Sequence, residues 1–440
     1  MADAVAPRPL TRGDAKTLAL ASLGGALEFY DFIIYVFFAV VIGKLFFPPD
    51  MPEWLEQLQT FGIFAAGYLA RPLGGIILAH FGDKTGRKRM FTLSIFMMAL
   101  PTLIIGVLPT YESIGYAAPL LLLVMRVFQG AAIGGEAPGA WVFVSEHVPQ
   151  NRVGLACGLL TGGLTGGILL GSLMATLINY VYTPGEIHDF AWRLPFILGG
   201  VFGFVAMYLR RWLHETPVFE AMRARKALVE DLPLKQVLRG YRPAVVVSML
   251  VTWMLTAIVV VVILMTPTLM QRLHGLPALT TLVASIAATL GITLSAFAVG
   301  AFIDRFGLVK VTLAGGPFFI ITAYALYMGT AINTDYLIPL SALAGLGAGL
   351  INVVPYTMVR AFPDNVRFTG VSFSYNVAYA IFGGLTPVAV QLLLVTDPIG
   401  PIHYVAGATV IGVVAIVAYM RRPALVHVVS ATLTPEPATR

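Results

Sequence analysis

The sequence predicts an all-α membrane protein: twelve transmembrane helices in two six-helix bundles, with both termini cytoplasmic. Three observations carry that expectation: an apolar composition, apolar runs as long as a bilayer crossing, and basic residues confined to alternate loops. Of the 440 residues, 58% are apolar and only 11% are Asp, Glu, Lys or Arg. A soluble domain has about 45–50% apolar and about 25% charged residues, so this chain has too few charges to cover a water-exposed surface. The mean hydropathy of +0.84 also excludes a disordered chain.

Apolar runs broken by polar residues, Pro and Gly fall at 17–43, 58–81, 90–109, 116–141, 154–180 and 192–213. They continue at 243–266, 277–302, 311–330, 336–360, 368–394 and 403–421. Each is close to the roughly 20 residues that a helix needs to cross the hydrocarbon core. Runs of this length without alternation exclude a barrel. The longest internal polar stretch, His214 to Arg242, divides the chain. The expected organisation is a cytoplasmic tail 1–16, a bundle 17–213, a linker 214–242, a second bundle 243–422 and a tail 423–440. The linker holds six basic and four acidic residues and reads as a partly helical strap whose basic side meets anionic lipid.

The basic residues test the topology independently. With both ends inside, 23 of the 28 Lys and Arg fall on the cytoplasmic side, two (Lys44 and Arg272) outside, and three (Arg71, Arg126 and Arg193) within spans. That asymmetry is the positive-inside pattern. It also assigns the net charge of +6 to loops at the bilayer surface, so lipid is the expected partner and nucleic acid is not. The N-terminus lacks a short apolar core with a cleavage site and a Met-Gly start, so neither a secretory signal nor myristoylation is expected. Cys157 is the only cysteine and the seven histidines are scattered, which argues against a disulfide framework or a metal site. The glycine series Gly163/Gly167/Gly171, Gly130/Gly134 and Gly345/Gly349 have the small-x-x-x-small spacing of close helix packing.

A weak repeat crosses the linker. Asp83-Lys84-Thr85-Gly86-Arg87 recurs as Asp304-Arg305-Phe306-Gly307, each after the second span of its half. Duplicated halves are the build of an alternating-access carrier.

With these motifs in view, the chain resembles the major facilitator superfamily over essentially its whole length. Asp83-Lys84-x-Gly86-Arg87-Lys88 is similar to that superfamily's loop motif, and Arg126-Val-Phe-Gln129-Gly130 with Gly134 to its fourth-span motif. Five further segments resemble the metabolite:proton symporter family, with its citrate, α-ketoglutarate, shikimate and proline/betaine carriers. They are Glu28-Phe-Tyr-Asp31-Phe, Arg71-Pro72-Leu-Gly74-Gly75, Trp192-Arg193-Leu-Pro195-Phe196, Glu215-Thr216-Pro217-x-Phe219 and Gly383-Gly384-Leu-Thr-Pro387. Ala79 replaces the glycine that usually opens the loop motif, and Leu308 stands where the first copy has Arg87. The resemblance implies a multi-pass carrier of the bacterial plasma membrane, with the proton as coupling ion and no cofactor. It also implies a coupling role for Arg126.

Charges inside the spans mark candidate sites, since an isolated ionised side chain in hydrocarbon costs from about 2.5 to above 10 kcal/mol. They are Glu28 and Asp31 in the first span, Arg71 in the second, Arg126 and Glu136 in the fourth and Arg193 at the start of the sixth. Spans seven to twelve carry none away from their ends, which confines the expected charge chemistry to the N-terminal half. Asp31 and Glu136 are alternative coupling acids, with Glu28 behind them; each is also a candidate for a permanent pair with an arginine. Arg71 is the expected solute contact, because a guanidinium holds a carboxylate through a rigid two-bond fork. Gln129 continues the Arg126 face and is a further candidate solute contact. Arg193 is expected to snorkel to the outer interface.

Neutral polar groups from the C-terminal half complete the expected site. Ser372, Tyr375, Asn376 and Tyr379 form one helical stripe, and Asn352 with Tyr356 a one-turn pair. Asp83, Arg87, Asp304 and Arg305 are the expected gating cluster at the cytoplasmic span ends. The predicted function is proton-coupled uptake of a small organic acid through a wet central vestibule, by a chain expected to act as a monomer. The alternatives are uptake of a zwitterion such as a betaine and, further off, efflux. An enzyme is not expected: the one nucleophile–base grouping, Ser145-Glu146-His147, reads as a helix end.

Overall fold

The computed structural model describes residues 9–85, 87–210, 220, 233–422 and 425–427. Among these residues the chain is helical, and twelve long rods can be followed. The first six are α1 (Arg12–Phe37), α2 (Glu53–Thr85), α3 (Arg87–Val107), α4 (Ala117–His147), α5 (Val153–Val181) and α6 (Arg193–Arg210). The second six are α7 (Arg242–His274), α8 (Ala278–Phe306), α9 (Leu308–Ile332), α10 (Thr334–Ala361), α11 (Arg367–Thr396) and α12 (Gly400–Met420). Nine helices among the described residues are long and apolar enough to cross a membrane, or ten if the bent pair Pro184–Ala191 and Arg193–Tyr208 is one span. Thr92–Val107, within α3, is a shorter apolar helix. The rods match the predicted spans to within a few residues at most ends. The largest difference is α7, which after a π turn at Ile258–Met265 continues as Thr266–His274, eight residues past its predicted limit.

Small residues set the packing. In α4 a Cβ on Gly130 would lie against the Gly67 carbonyl of α2, and one on Gly134 against the Arg71 carbonyl. Gly163 and Gly167 of α5 meet the Ser22 and Ala26 carbonyls of α1 in the same way, and Gly345 of α10 meets Ala288 of α8. Dispersion at such close approach replaces the hydrophobic drive that lipid does not supply. Outward-facing aliphatics such as Leu69, Leu73 and Leu392 are more than 60% exposed, as lipid-facing positions should be. Gly307, at φ 87°, makes the turn between α8 and α9 in a conformation that other residues rarely adopt.

The seam between α1–α6 and α7–α12 is formed by α2 against α11 and by α5 against α8. Hydrogen bonds cross it from mid-depth, where Thr293 donates to Thr165 at 3.1 Å, down to the ends that carry the basic loops. The motif segment 215–219 lies outside the described residues, as does most of the linker.

Candidate functional site

Arg71 sits on α2 at mid-depth and is 1% exposed. Its guanidinium lies 4.1 Å from the Tyr379 ring centroid, 5.4 Å from Tyr375 and 5.6 Å from Tyr68. Tyr68 and Tyr379 stack across the seam with their rings 5° from parallel, and Tyr375 packs edge-on against Trp141. The Arg71 Nε donates a long hydrogen bond of 3.4 Å to Asn376 Oδ1, while Nη2 finds no acceptor among the described residues. Tyr379 opens a π turn, Tyr379–Gly383, in α11, a deformation frequent at functional sites.

Proline chemistry fixes α11 against α4. Pro138 has no N–H, so the Gly134 carbonyl one turn earlier loses its helical donor. Asn376 Nδ2 donates to that carbonyl at 2.5 Å and Ser372 Oγ does so at 3.3 Å. Ser372 Oγ also donates to the Gly75 carbonyl of α2 at 3.0 Å. The predicted stripe of Ser372, Tyr375, Asn376 and Tyr379 thus comes together with Arg71.

A second cluster lies within α1–α6. Arg126 is fully buried, 4.4 Å from the Tyr35 ring centroid and 4.6 Å from that of Phe32. Its Nη1 donates to Gln129 Oε1 at 2.9 Å, and Gln129 Nε2 donates to Thr102 Oγ1 at 2.7 Å. Asp31 is also fully buried, near Thr102 and against Gly199 of α6, where a Cβ would lie 2.5 Å from its Oδ1. Neither carboxyl oxygen of Asp31 has a hydrogen-bond partner among the described residues. Glu28 is 1% exposed on the same helix. Glu136 accepts from Ser94 Oγ of α3 at 2.5 Å.

Several expectations need correction. Gln129 supports Arg126 from within the first helix set and is not at the Arg71 pocket. Asn352 turns its Nδ2 to the Ala296 carbonyl of α8, 2.7 Å away. The Tyr356 hydroxyl accepts from Arg360 at 2.7 Å, one turn toward the basic end. In this structure the α10 pair contacts α8 and Arg360 and does not join the Arg71 cluster; shared helical spacing could not reveal which neighbour it faces. Arg193 bonds the Gly106 and Leu108 carbonyls and so caps the end of α3, which is the outer end in the expected topology. The expected wet vestibule is not seen around these groups: Arg71, Asp31 and Arg126 are at most 1% exposed. Three cavities among the described residues lie elsewhere, on the flanks of the bundle.

Charge chemistry is not confined to the N-terminal half either. Arg367, at the start of α11, is fully buried and pairs with the fully buried Glu146 of α4 at 3.0 Å. It also pairs with Asp364 and donates through Nε to the Val359 carbonyl at 2.8 Å. Both charges sit at span ends, where sequence reading treats them as topology markers or helix termini. Asp304 crosses the seam as well, accepting from the backbone N–H of Gly154 at 2.7 Å and of Leu155 at 2.8 Å. It caps the N-terminus of α5, where a carboxylate complements the unpaired donors and the helix dipole. Arg305 is exposed over Phe306 of its own helix and does not cross. The side chains of Asp83 and Arg87 lie outside the described residues. At the same end of the seam, the backbone N–H of His427 donates to the Arg360 carbonyl at 2.8 Å, and its ring packs on Tyr241.

The sequence pattern of the Major Facilitator Superfamily matches residues 21–387. A Staphylococcus aureus (strain COL) protein named "Putative proline/betaine transporter" is 34% identical over 410 residues, covering 91% of this chain and 87% of its own. The "Citrate-proton symporter" of Klebsiella pneumoniae is 31% identical over 430 residues, covering 94% of each chain. The crystallised proton:xylose symporter XylE superposes with a TM-score of 0.77 over 93% of this chain and 95% of its own. Its identity is 14%, so that likeness concerns the fold.

Proposed function

Because this chain belongs to the Major Facilitator Superfamily, we propose that it imports a small organic acid together with protons, with Arg71 as the group that grips the carboxylate. The observation that carries this reading is the Arg71 environment: a buried guanidinium at the seam that meets only neutral partners, Asn376, Tyr375 and Tyr379, and whose Nη2 has no acceptor among the described residues. A buried cation with unused donors is costly unless something else uses them, and a carboxylate fits the fork. Tyr375, Asn376 and Tyr379 complete the pocket from α11. Asp31 carries the proton in this reading: it is a fully buried carboxyl whose two oxygens have no hydrogen-bond partner among the described residues. Arg126 and Gln129 link Asp31 to the solute, with Glu28 and Glu136 as neighbouring acids.

The proposed topology is twelve spans in two bundles, 17–213 and 243–422, with both termini cytoplasmic; the positive-inside count supports it. The cycle begins with loading of proton and solute from outside, while Glu146–Arg367 and Asp304 hold the inner end shut. The bundles then rock, solute and proton leave inward, and the empty carrier resets. A zwitterion is the second reading, favoured by the three tyrosine rings, since aromatic faces also attract an ammonium group.

Uptake of labelled acids and zwitterions into proteoliposomes, with and without an imposed pH gradient, tests both readings. Accumulation is expected only with the acid side outside, and is expected to vanish in Arg71→Ala and Asp31→Asn. Unchanged accumulation in both variants would overturn the site.

A further inference from the structure

We propose that a groove at the basic end of the seam is a binding site for one anionic phospholipid. The groove, with a volume of about 610 Å³, lies between the outer face of α2 and the short helix Pro233–Gly240 that precedes α7. Ile77 and Phe81 of α2 form one wall, and Leu234 and Leu238 of the short helix form the other. Ile77, Phe81 and Leu238 are each more than 40% exposed, so the groove opens outward from the bundle. Lys235 and Arg239 line it four residues apart, which stacks both cations on one face of the helix. Thr369 of α11 completes the lining, so an occupant touches both helix sets.

The short helix is anchored there. Val237 is fully buried in the core cluster shared with α7 and α11. The Tyr241 N–H donates to the Val237 carbonyl at 3.0 Å, and Arg242 Nε donates to the Leu238 carbonyl at 3.2 Å. The chemistry of the occupant follows from the lining. An apolar trough beside membrane-spanning helices takes acyl chains, and two cations at the level of the basic loops take an acidic headgroup. A zwitterionic lipid would leave their charge unbalanced. A lipid seated across α2, α11 and the short helix would bind the closed seam and be disrupted when the seam parts, so it would favour the inner-closed state.

The test uses the full chain in nanodiscs of phosphatidylcholine with or without phosphatidylglycerol, reading retained phospholipid by native mass spectrometry. The readout involves no transported solute, so it stands or falls separately from the assignment of Arg71. Phosphatidylglycerol is expected to be retained in preference to phosphatidylcholine. The Lys235→Gln/Arg239→Gln double variant is expected to weaken that retention about 25-fold, at about fivefold per cation near a membrane surface. Ile77→Trp, which fills the trough and leaves the charge unchanged, is expected to reduce it as well. Equal retention of the two lipids, or unchanged phosphatidylglycerol retention in the double variant, would overturn the proposal.

Discussion

Two fully buried arginines face each other's helix sets and are treated in opposite ways. Arg367 is closely satisfied: it pairs with Glu146 and Asp364 and bonds the Val359 carbonyl. Arg71 bonds only neutral groups, Asn376 at 3.4 Å and the Tyr375 and Tyr379 side chains, and has no carboxylate partner among the described residues. Burial of a cation is a cost in both places, and at Arg367 two carboxylates of the protein offset it. In the proposed reading the contrast separates a latch, whose partners are built in, from a binding group, whose partner arrives from outside.

The largest expected effect comes from breaking the latch. Glu146→Ala leaves Arg367 buried with its cross-seam partner removed, a loss of about 3–5 kcal/mol. Spin labels at the exposed positions 152 and 305, in a Cys157→Ala background, should then show the α5 and α8 ends apart in most molecules. Adding Arg367→Met should recover much of the closed distance. If Glu146→Ala leaves the distance distribution unchanged, the pair is not a latch. A smaller shift is expected for Asp304→Ala, which removes a helix cap worth about 1 kcal/mol; about a fivefold change in the closed-to-open ratio follows, read with labels at the same positions.

The smallest effect is a pH dependence in the tail. Burial and then the Arg367 cation push the His427 imidazole below its usual value, against a weaker opposite pull from Asp364. The docked tail therefore favours neutral histidine, so docking is strongest above the ordinary histidine range and weakens as the pH falls through it. Exchange of the His427 amide, corrected for its intrinsic pH dependence, should speed up on acidification in the wild type and lose that extra dependence in His427→Gln.

Much of the scaffold was legible in the sequence because lipid imposes one demand on every span: apolar length. The buried charges at 28, 31, 71, 126 and 136 were legible for the same reason, since their rarity in such segments draws attention to them. The α11 stripe could be read from helical spacing alone. What escaped was anything decided by a neighbouring helix. Asn352 and Tyr356 share a face as regularly as Tyr375 and Tyr379 do, yet that face meets α8 and Arg360. Tyr68 stacks on Tyr379 from a helix three hundred residues away in sequence. The Gly134 carbonyl, freed by Pro138, gains its donors from α11. Glu146 and Arg367 were hidden by position, because charges are ordinary at span ends and only packing shows that these two are buried.

Equilibrium binding to the purified carrier tests the role of Arg71 most directly. A panel of small acids, each paired with its methyl ester, would be titrated against wild type, Arg71→Lys and Arg71→Ala. At least one acid should bind the wild type and its ester should not. Arg71→Ala should weaken that acid about 100-fold, the worth of a charge-assisted bidentate pair, and Arg71→Lys should fall in between. Equal affinity of wild type and Arg71→Ala for every acid that binds would contradict the account.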